Sequence, residues 1–298
     1  MTDEFRCGFV AVVGRPNVGK STLINAVMGR KISIVTNKPQ TTRHRILAVR
    51  NEADAQVIFV DTPGIHRKAS RAMNRLMNRT AANALEDADL VLFVCEAHRF
   101  TDEDKDVLRR IRKTGLPTML VLNKVDLVHP KERLLTIMAS MQERHDFVEI
   151  FPISAKKQSD VAMLMRSIPA YLQVSPPLFP DDMSTDRGPE FFAAELIREK
   201  LTNALQQELP YGLTVQIEKF ERTAEGVGVY AVVWVERDSQ KGMVVGKGGR
   251  LLKQVGTQSR QELKAEFGCP VHLELWVKVK DNWADNEQDL LRLGYESP

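Results

Sequence analysis

The sequence predicts an α/β protein of two domains. A mostly parallel sheet covered by helices comes first, and a smaller α+β domain follows. Three observations carry this. Short apolar runs alternate with helix-length segments up to about residue 172. A stretch rich in Pro, Asp, Ser and Gly, 173–189, interrupts the pattern as a linker. Beyond it, over 190–298, a long amphipathic segment precedes runs that alternate apolar and polar residues.

The first run, 9–14 (FVAVVG), is short, apolar and closed by Gly14, which predicts a buried strand. A helix over 21–29 follows, stopped by Gly29. Apolar runs at 55–64, 88–97, 117–126 and 149–155 each end in polar residues. Helix-length segments such as 102–115 separate them. Strand, helix, strand in this order places functional residues at the carboxyl ends of the strands. In the second domain, 191–209 puts Phe192, Leu196, Leu201 and Leu205 near one helical face, and Pro210 ends it. The runs 213–220 and 271–280 predict strands of a half-exposed sheet.

Composition sets the outer limits. With 43% hydrophobic and 27% charged residues over 298 positions, the chain has apolar material for two cores. No apolar run approaches the roughly 18 residues of a membrane helix, and residues 1–9 show no signal-peptide pattern. Cys7, Cys95 and Cys269 are few and scattered, as expected of a reduced cytoplasmic protein, and their spacing is not that of a metal site. A net charge of +3 means that any nucleic-acid footprint is local.

The strand ends carry the chemistry. GRPNVGKS, 14–21, fits the phosphate-binding loop pattern in full. Gly14, Arg15, Pro16, Asn17, Val18 and Gly19 form a loop whose N–H groups turn toward phosphate oxygens. Lys20 supplies charge to the β/γ-phosphates, Ser21 a hydroxyl to Mg²⁺, and Thr22 continues the helix start. In DTPG, Asp61 is placed to hold Mg²⁺ through water, Thr62 and Pro63 follow it, and the Gly64 N–H can sense the γ-phosphate. In NKVD, Asn123, Lys124 and Asp126 end another strand. Asp126, expected as a buried carboxylate, can accept from both N–H groups on the guanine edge; adenine does not offer them and would leave its charge unpaired. Ser154, Ala155 and Lys156 end a further strand, with the Ala155 N–H placed for the guanine carbonyl. Between helix and next strand lies KPQTTRHR, 38–45. Thr42 is the preferred second Mg²⁺ hydroxyl, and spacing alone does not separate it from Thr41.

These motifs, with ELPYGLTVQIE, VVGKGGRLLKQVG and HLELWVKVKDNW, resemble those of the Era family of GTPases over nearly the whole chain. The resemblance implies a GTPase domain joined to a type II KH domain and a Mg²⁺-dependent GTP/GDP cycle. It also implies binding to small-subunit (16S) rRNA near its 3′ end and a role in maturing the 30S subunit. A monomer is expected, cytoplasmic, with loose association at the inner face of the cell membrane in some members. KH domains clamp single strands with a GxxG loop between two helices. Gly246, Lys247, Gly248 and Gly249 fit that loop, with Arg250 and Lys253 adding charge and Lys241 just upstream. Val244, Val245, Leu251, Leu252 and Val255 are the expected anchors of its helices.

For catalysis, Lys20, Thr42 and Gly64 are the candidates. The position after DTPG is Ile65, which cannot orient water by hydrogen bonding, and no arginine finger is assignable. His66 follows. Asn17 corresponds to an Asn that helps hold K⁺ in related GTPases. Two function classes follow: an RNA-binding GTPase switch, or a regulatory GTPase whose second domain docks a protein or membrane surface. Asp126 disfavours an ATPase.

Overall fold

In a computed structural model of the chain, residues 4–64, 71–205 and 212–295 are described. The expectations placed on Ile65, His66 and Pro210, and on the last residues of the 191–209 segment, lie outside them. The first sheet collects β1 (Arg6–Val13), β2 (Ile46–Asn51), β3 (Ala55–Asp61), β4 (Leu90–Glu96), β5 (Thr118–Asn123) and β6 (Glu149–Pro152) in the order β2-β3-β1-β4-β5-β6. The pairings β3–β1, β1–β4, β4–β5 and β5–β6 are parallel, while β2 runs antiparallel to β3. The helices α1 (Lys20–Met28), α2 (Ala72–Glu86), α3 (Asp102–Thr114), α4 (Arg133–Gln142) and α5 (Gln158–Ser167) fill the crossovers. Two large apolar clusters result, one on each face, with a smaller one, including Leu47, Val49 and Ile58, at the β2–β3 edge. Of the large ones, Val10, Val12, Leu23 and Leu164 belong to one, and Val13, Phe93, Ile111 and Met141 to the other. Burial on both faces is why these strands read as unbroken apolar runs.

The segment 173–189 is not a free tether. Its first residues form β7 (Gln173–Val174), antiparallel to the start of β1. It then runs along the sheet edge. Val49 N donates to Ser184 O at 3.0 Å, and Leu47 N to Asp186 Oδ1 at 2.9 Å. The buried Gln56 amide binds Phe179 O, Leu178 N and Phe179 N. Unpaired edge groups of β2 gain partners this way.

The second part has the order α6 (Pro189–Ala204), β8 (Leu213–Thr223), β9 (Gly226–Val235), α7 (Asp238–Val245), α8 (Arg250–Phe267), β10 (Val271–Val279), α9 (Glu287–Arg292). Its sheet is β10-β9-β8, parallel between β10 and β9 and antiparallel between β9 and β8. Strands β2 and β9 go beyond the sequence reading. Of the expected stripe, Leu196, Leu201 and Leu205 are buried, but it divides between two clusters, Leu196 with Phe192 against it in one and Leu201 and Leu205 in the other. Yet Glu195, Arg198 and Glu199 on the same helix are buried too, because α6 lies between the two parts of the molecule. A second seam joins α2 to the C-terminal turn, where Met73 and Met77 pack with Trp283, Leu290 and Tyr295.

Candidate functional site

The C-terminal ends of β1, β3 and β5 and the segment after β6 surround a cavity of about 490 Å³. Pro16, Asn17, Gly19, Lys20, Ser21 and Thr22 line its floor, and Thr42 and Gly64 one side. Asn123, Lys124, Asp126, Ser154, Ala155 and Lys156 line the other end. Four sequence-distant motifs therefore meet at one place. The turn out of β1 requires glycine at position 14: a Cβ there would sit 2.3 Å from Val94 O. Gly19, at φ 100°, caps α1 in the left-handed region.

Some expected site residues turn their side chains away. Val18 is fully buried in the core. Thr62 Oγ1 donates to Val12 O at 2.9 Å. Arg15 reaches back to Glu96 and Asp104. Gly14, Arg15, Val18, Asp61, Thr62 and Pro63 are not among the residues lining the cavity. They shape the loops beneath it.

Lys20 is buried and donates to Gly14 O at 3.0 Å and Arg15 O at 3.1 Å. Burial lowers its ammonium from the ordinary value to about 8, although Asp61 opposes the shift. Ser21 Oγ lies 2.9 Å from Thr42 Oγ1 and donates to Asp61 Oδ2 at 3.0 Å. Asp61 Oδ1 is buried with no hydrogen-bond partner among the described residues. Burial pushes the Asp61 carboxyl above its ordinary range, against the opposing pull of the nearby Ser33 hydroxyl, then of Lys20 and Ser21. Ser21 Oγ, Thr42 Oγ1 and Asp61 Oδ2 cluster together, with the desolvated, unpartnered Oδ1 of the same carboxylate alongside, and such an oxygen set fits a hard divalent cation. Thr41 is engaged elsewhere, with its hydroxyl 2.6 Å from Thr36 Oγ1 and 2.7 Å from Lys38 O.

At the other end, Asp126 is exposed at the cavity mouth rather than buried as the sequence reading expected. The Ser154 hydroxyl holds its carboxyl below the usual range. A base meeting it edge-on would provide the missing cover. The Ala155 N–H, expected to meet a base carbonyl, is donated to Asn123 Oδ1 at 3.0 Å. The buried Asn123 amide satisfies itself across three loops, donating to Val18 O and accepting from Lys124 N and Ala155 N. A base carbonyl must share the Ala155 N–H or take the next one, at Lys156.

The second part of the chain reaches this cavity through α6. Arg198, 2% exposed, is held bidentate by Glu195 and donates to Thr41 O, the carbonyl preceding Thr42. Glu199 accepts from Val35 N at 2.9 Å and from Lys31 at 2.6 Å. Arg43 Nη1 donates to Leu213 O at 2.7 Å, and His44 stacks on Tyr295 with centroids 4.6 Å apart. The segment carrying Thr42 is thus tied on both sides to the second part. The sequence signal for this was weak, since KPQTTRHR reads equally as a solvated basic loop.

The second glycine loop joins α7 to α8. Gly246, Gly248 and Gly249 have φ of 73°, 60° and 76°, so three of its four residues hold the positive φ that favours glycine. A Cβ at Gly246 would meet Leu251 Cβ at 2.8 Å, so that position does not tolerate a side chain. Val244 and Val255 are buried, and Val245, Leu251 and Leu252 pack against the same cluster. Lys241, Lys247, Arg250 and Lys253 are exposed around the loop.

Comparison with known proteins agrees with this architecture. A family model described as a 50S ribosome-binding GTPase matches residues 9–124, and a KH domain model matches 208–284. The chain is 47% identical over 290 residues to GTPase Era of Stenotrophomonas maltophilia strain K279a, covering 97% of each chain. It is 48% identical over 297 residues to GTPase Era of Glaesserella parasuis serovar 5, covering 99% of each. A solved Era structure in complex with MgGDPNP and nucleotides 1506–1542 of 16S ribosomal RNA superposes with a TM-score of 0.94 at 37% identity, covering 98% of this chain and 99% of that one. A variant of Aquifex aeolicus Era bound to GDP·AlF₄⁻ gives the same TM-score, identity and coverage. The chain belongs to the Era family of GTPases.

Proposed function

We propose that the chain hydrolyses GTP to GDP and phosphate as a switch controlling its grip on the 3′ region of small-subunit rRNA, in the maturation of the 30S subunit. The observation that carries this is the joining of the Thr42 segment to α6, which puts a nucleotide site and an RNA-binding domain in contact. Relatives bound to MgGDPNP with 16S rRNA nucleotides and to GDP·AlF₄⁻ support the ligand classes.

Ser21, Thr42 and Asp61 would hold Mg²⁺, which supplies charge neutralisation for the β- and γ-phosphates when bound. Lys20 would replace its two backbone acceptors with phosphate oxygens. The Gly64 N–H would face the γ-phosphate, and Gly64 already packs on Pro16, where a Cβ would come within 3 Å of its backbone. Asp126 would select guanine. Gly246, Lys247, Gly248 and Gly249 would hold the sugar-phosphate chain, with Arg250 and Lys253 beside it. Asn17, at φ 65°, has its amide 3.0 Å from Asn37 O. Turning that amide over would set two oxygens together, which suits K⁺. The protein is proposed to act as a cytoplasmic monomer that associates loosely with the membrane. Among the described residues no helix is long and apolar enough to cross one.

The test is crosslinking of the full-length protein in cell extract, with GTPγS or with GDP, followed by sequencing of the bound RNA. The proposal requires enrichment of the 3′ end of small-subunit rRNA that changes with the nucleotide. Recovery of membrane or protein partners with no RNA would favour a docking role for the second domain. GTP hydrolysis in K⁺ faster than in Na⁺ would support the Asn17 assignment.

A further inference from the structure

Glu96, at the end of β4, lines no part of the nucleotide cavity, yet two nucleotide-loop cations converge on it. Its Oε2 accepts from Arg15 Nη2 and its Oε1 from Lys124 Nζ, in close ion pairs. The side chains of Glu96 and Arg15 are each only 10% exposed. Arg15 is clamped from its other edge by Asp104, with Nε to Oδ2 at 3.1 Å. Asp104 is itself fixed by Thr101 N and Thr101 Oγ1, both at 2.8 Å, at the capped start of α3.

These groups act on the underside of the phosphate loop. Arg15 Nη1 donates to Pro16 O at 3.3 Å, Lys124 Nζ to Asn17 O at 2.8 Å, and Asn123 Nδ2 to Val18 O at 2.8 Å. Three successive carbonyls are drawn to side-chain donors, two of them, Lys124 and Asn123, from the end of β5 and one, Arg15, from the loop's own start. In a trans peptide the C=O and the following N–H point in opposite directions. Drawing these carbonyls outward therefore turns the N–H groups of Asn17, Val18 and Gly19 the other way. Two of the three donors are the cations that Glu96 holds, and among the described residues Glu96 is the one carboxylate that pairs with both.

We infer that Glu96 is a positioning residue for nucleotide binding: by fixing Arg15 and Lys124 it sets the orientation of the phosphate-loop peptides. The inference rests on reading the cavity as a guanine-nucleotide site. A parent protein that bound no GDP would fail that reading, whereas a parent that binds GDP leaves Glu96 to be judged by its variants.

The test uses the full chain and Mg·GDP. Glu96→Gln keeps the shape, but its amide can satisfy only one of the two cations. GDP dissociation should speed up by about tenfold, the loss of a charge-assisted hydrogen bond. GDP affinity should fall relative to that of guanosine, which carries no phosphate. The preference for GTP over XTP should stay, since Asp126 is untouched. Glu96→Asp, which keeps the charge, should recover part of the loss. If Glu96→Gln does not fold, Arg15→Gln reads the same link from the loop side and should also speed GDP release. A folded variant of either kind that releases GDP within twofold of the parent overturns the inference. So does an equal loss for guanosine and GDP, which would mean general loosening of the pocket.

Discussion

Binding a guanine nucleotide should make the protein take up a proton, and the amount should depend on pH in a way set by Lys20. Burial lowers the Lys20 ammonium to about 8 when only protein groups surround it. Phosphate oxygens beside it would restore the charged form, returning its pKa to the ordinary lysine range near 10.4 or above. At pH 7 the free protein already holds about nine tenths of that proton, so binding should take up only about a tenth. At pH 8.5 the free protein holds about a quarter, and uptake should rise to about three quarters of a proton. GDP affinity should accordingly fall as pH rises above 8, approaching tenfold per unit. The nucleotide's own phosphate titrates near 6, below this window. Calorimetric titration of GDP in buffers of different ionisation enthalpy, from pH 7 to 9, measures the uptake directly. The sign for stability is the opposite one. Between about 8 and 10.4 the unfolded chain holds the Lys20 proton and the folded chain has lost it, so nucleotide-free stability gains from this residue as pH rises. Uptake that stays near zero from pH 7 to 9 would refute the reasoning, because Lys20 would then be fully charged before the phosphates arrive.

Three further outcomes are expected. Asp126→Asn should lower GTP affinity by several kcal/mol and raise XTP binding, read by competition; a variant that still prefers GTP would remove the guanine-selecting role of Asp126. Lys247→Asp with Gly248→Asp should abolish binding of a single-stranded rRNA 3′ fragment while GTP hydrolysis continues. Gly248 at φ 60° lies in open space, where Asp is tolerated at a cost of about 1–2 kcal/mol, so the variant should fold. Arg198→Met should destabilise the protein by about 3–5 kcal/mol in urea unfolding, because Glu195 is left charged and buried; Arg198→Met with Glu195→Met should recover most of this, and an equally unstable double variant would show that the buried charge is not the cause.

The sequence by itself determined the local chemistry. GRPNVGKS, DTPG, NKVD and SAK are contiguous motifs, each at the end of an apolar run, and a strand end is a position that short-range pattern identifies. The parallel sheet was legible for the same reason, since strands buried on both faces leave unbroken apolar runs. The GxxG loop was legible because backbone at positive φ leaves glycine as its mark. Tertiary structure decided what depends on residues far apart in the chain. Spacing left Thr41 and Thr42 equivalent; the fold sends one hydroxyl to Ser21 and the other to Thr36. The Ala155 N–H looked free for a base until the fold placed Asn123 against it. Residues 173–189 have the composition of a tether, but the open edge of β2 gives them backbone partners. Glu195, Arg198 and Glu199 read as the polar face of a helix, because a sequence marks one apolar stripe and cannot show that a second body covers the opposite side. Electrostatic partners such as Glu96 with Arg15 and Lys124 are set by where strands end in space, and no periodicity along the chain records that.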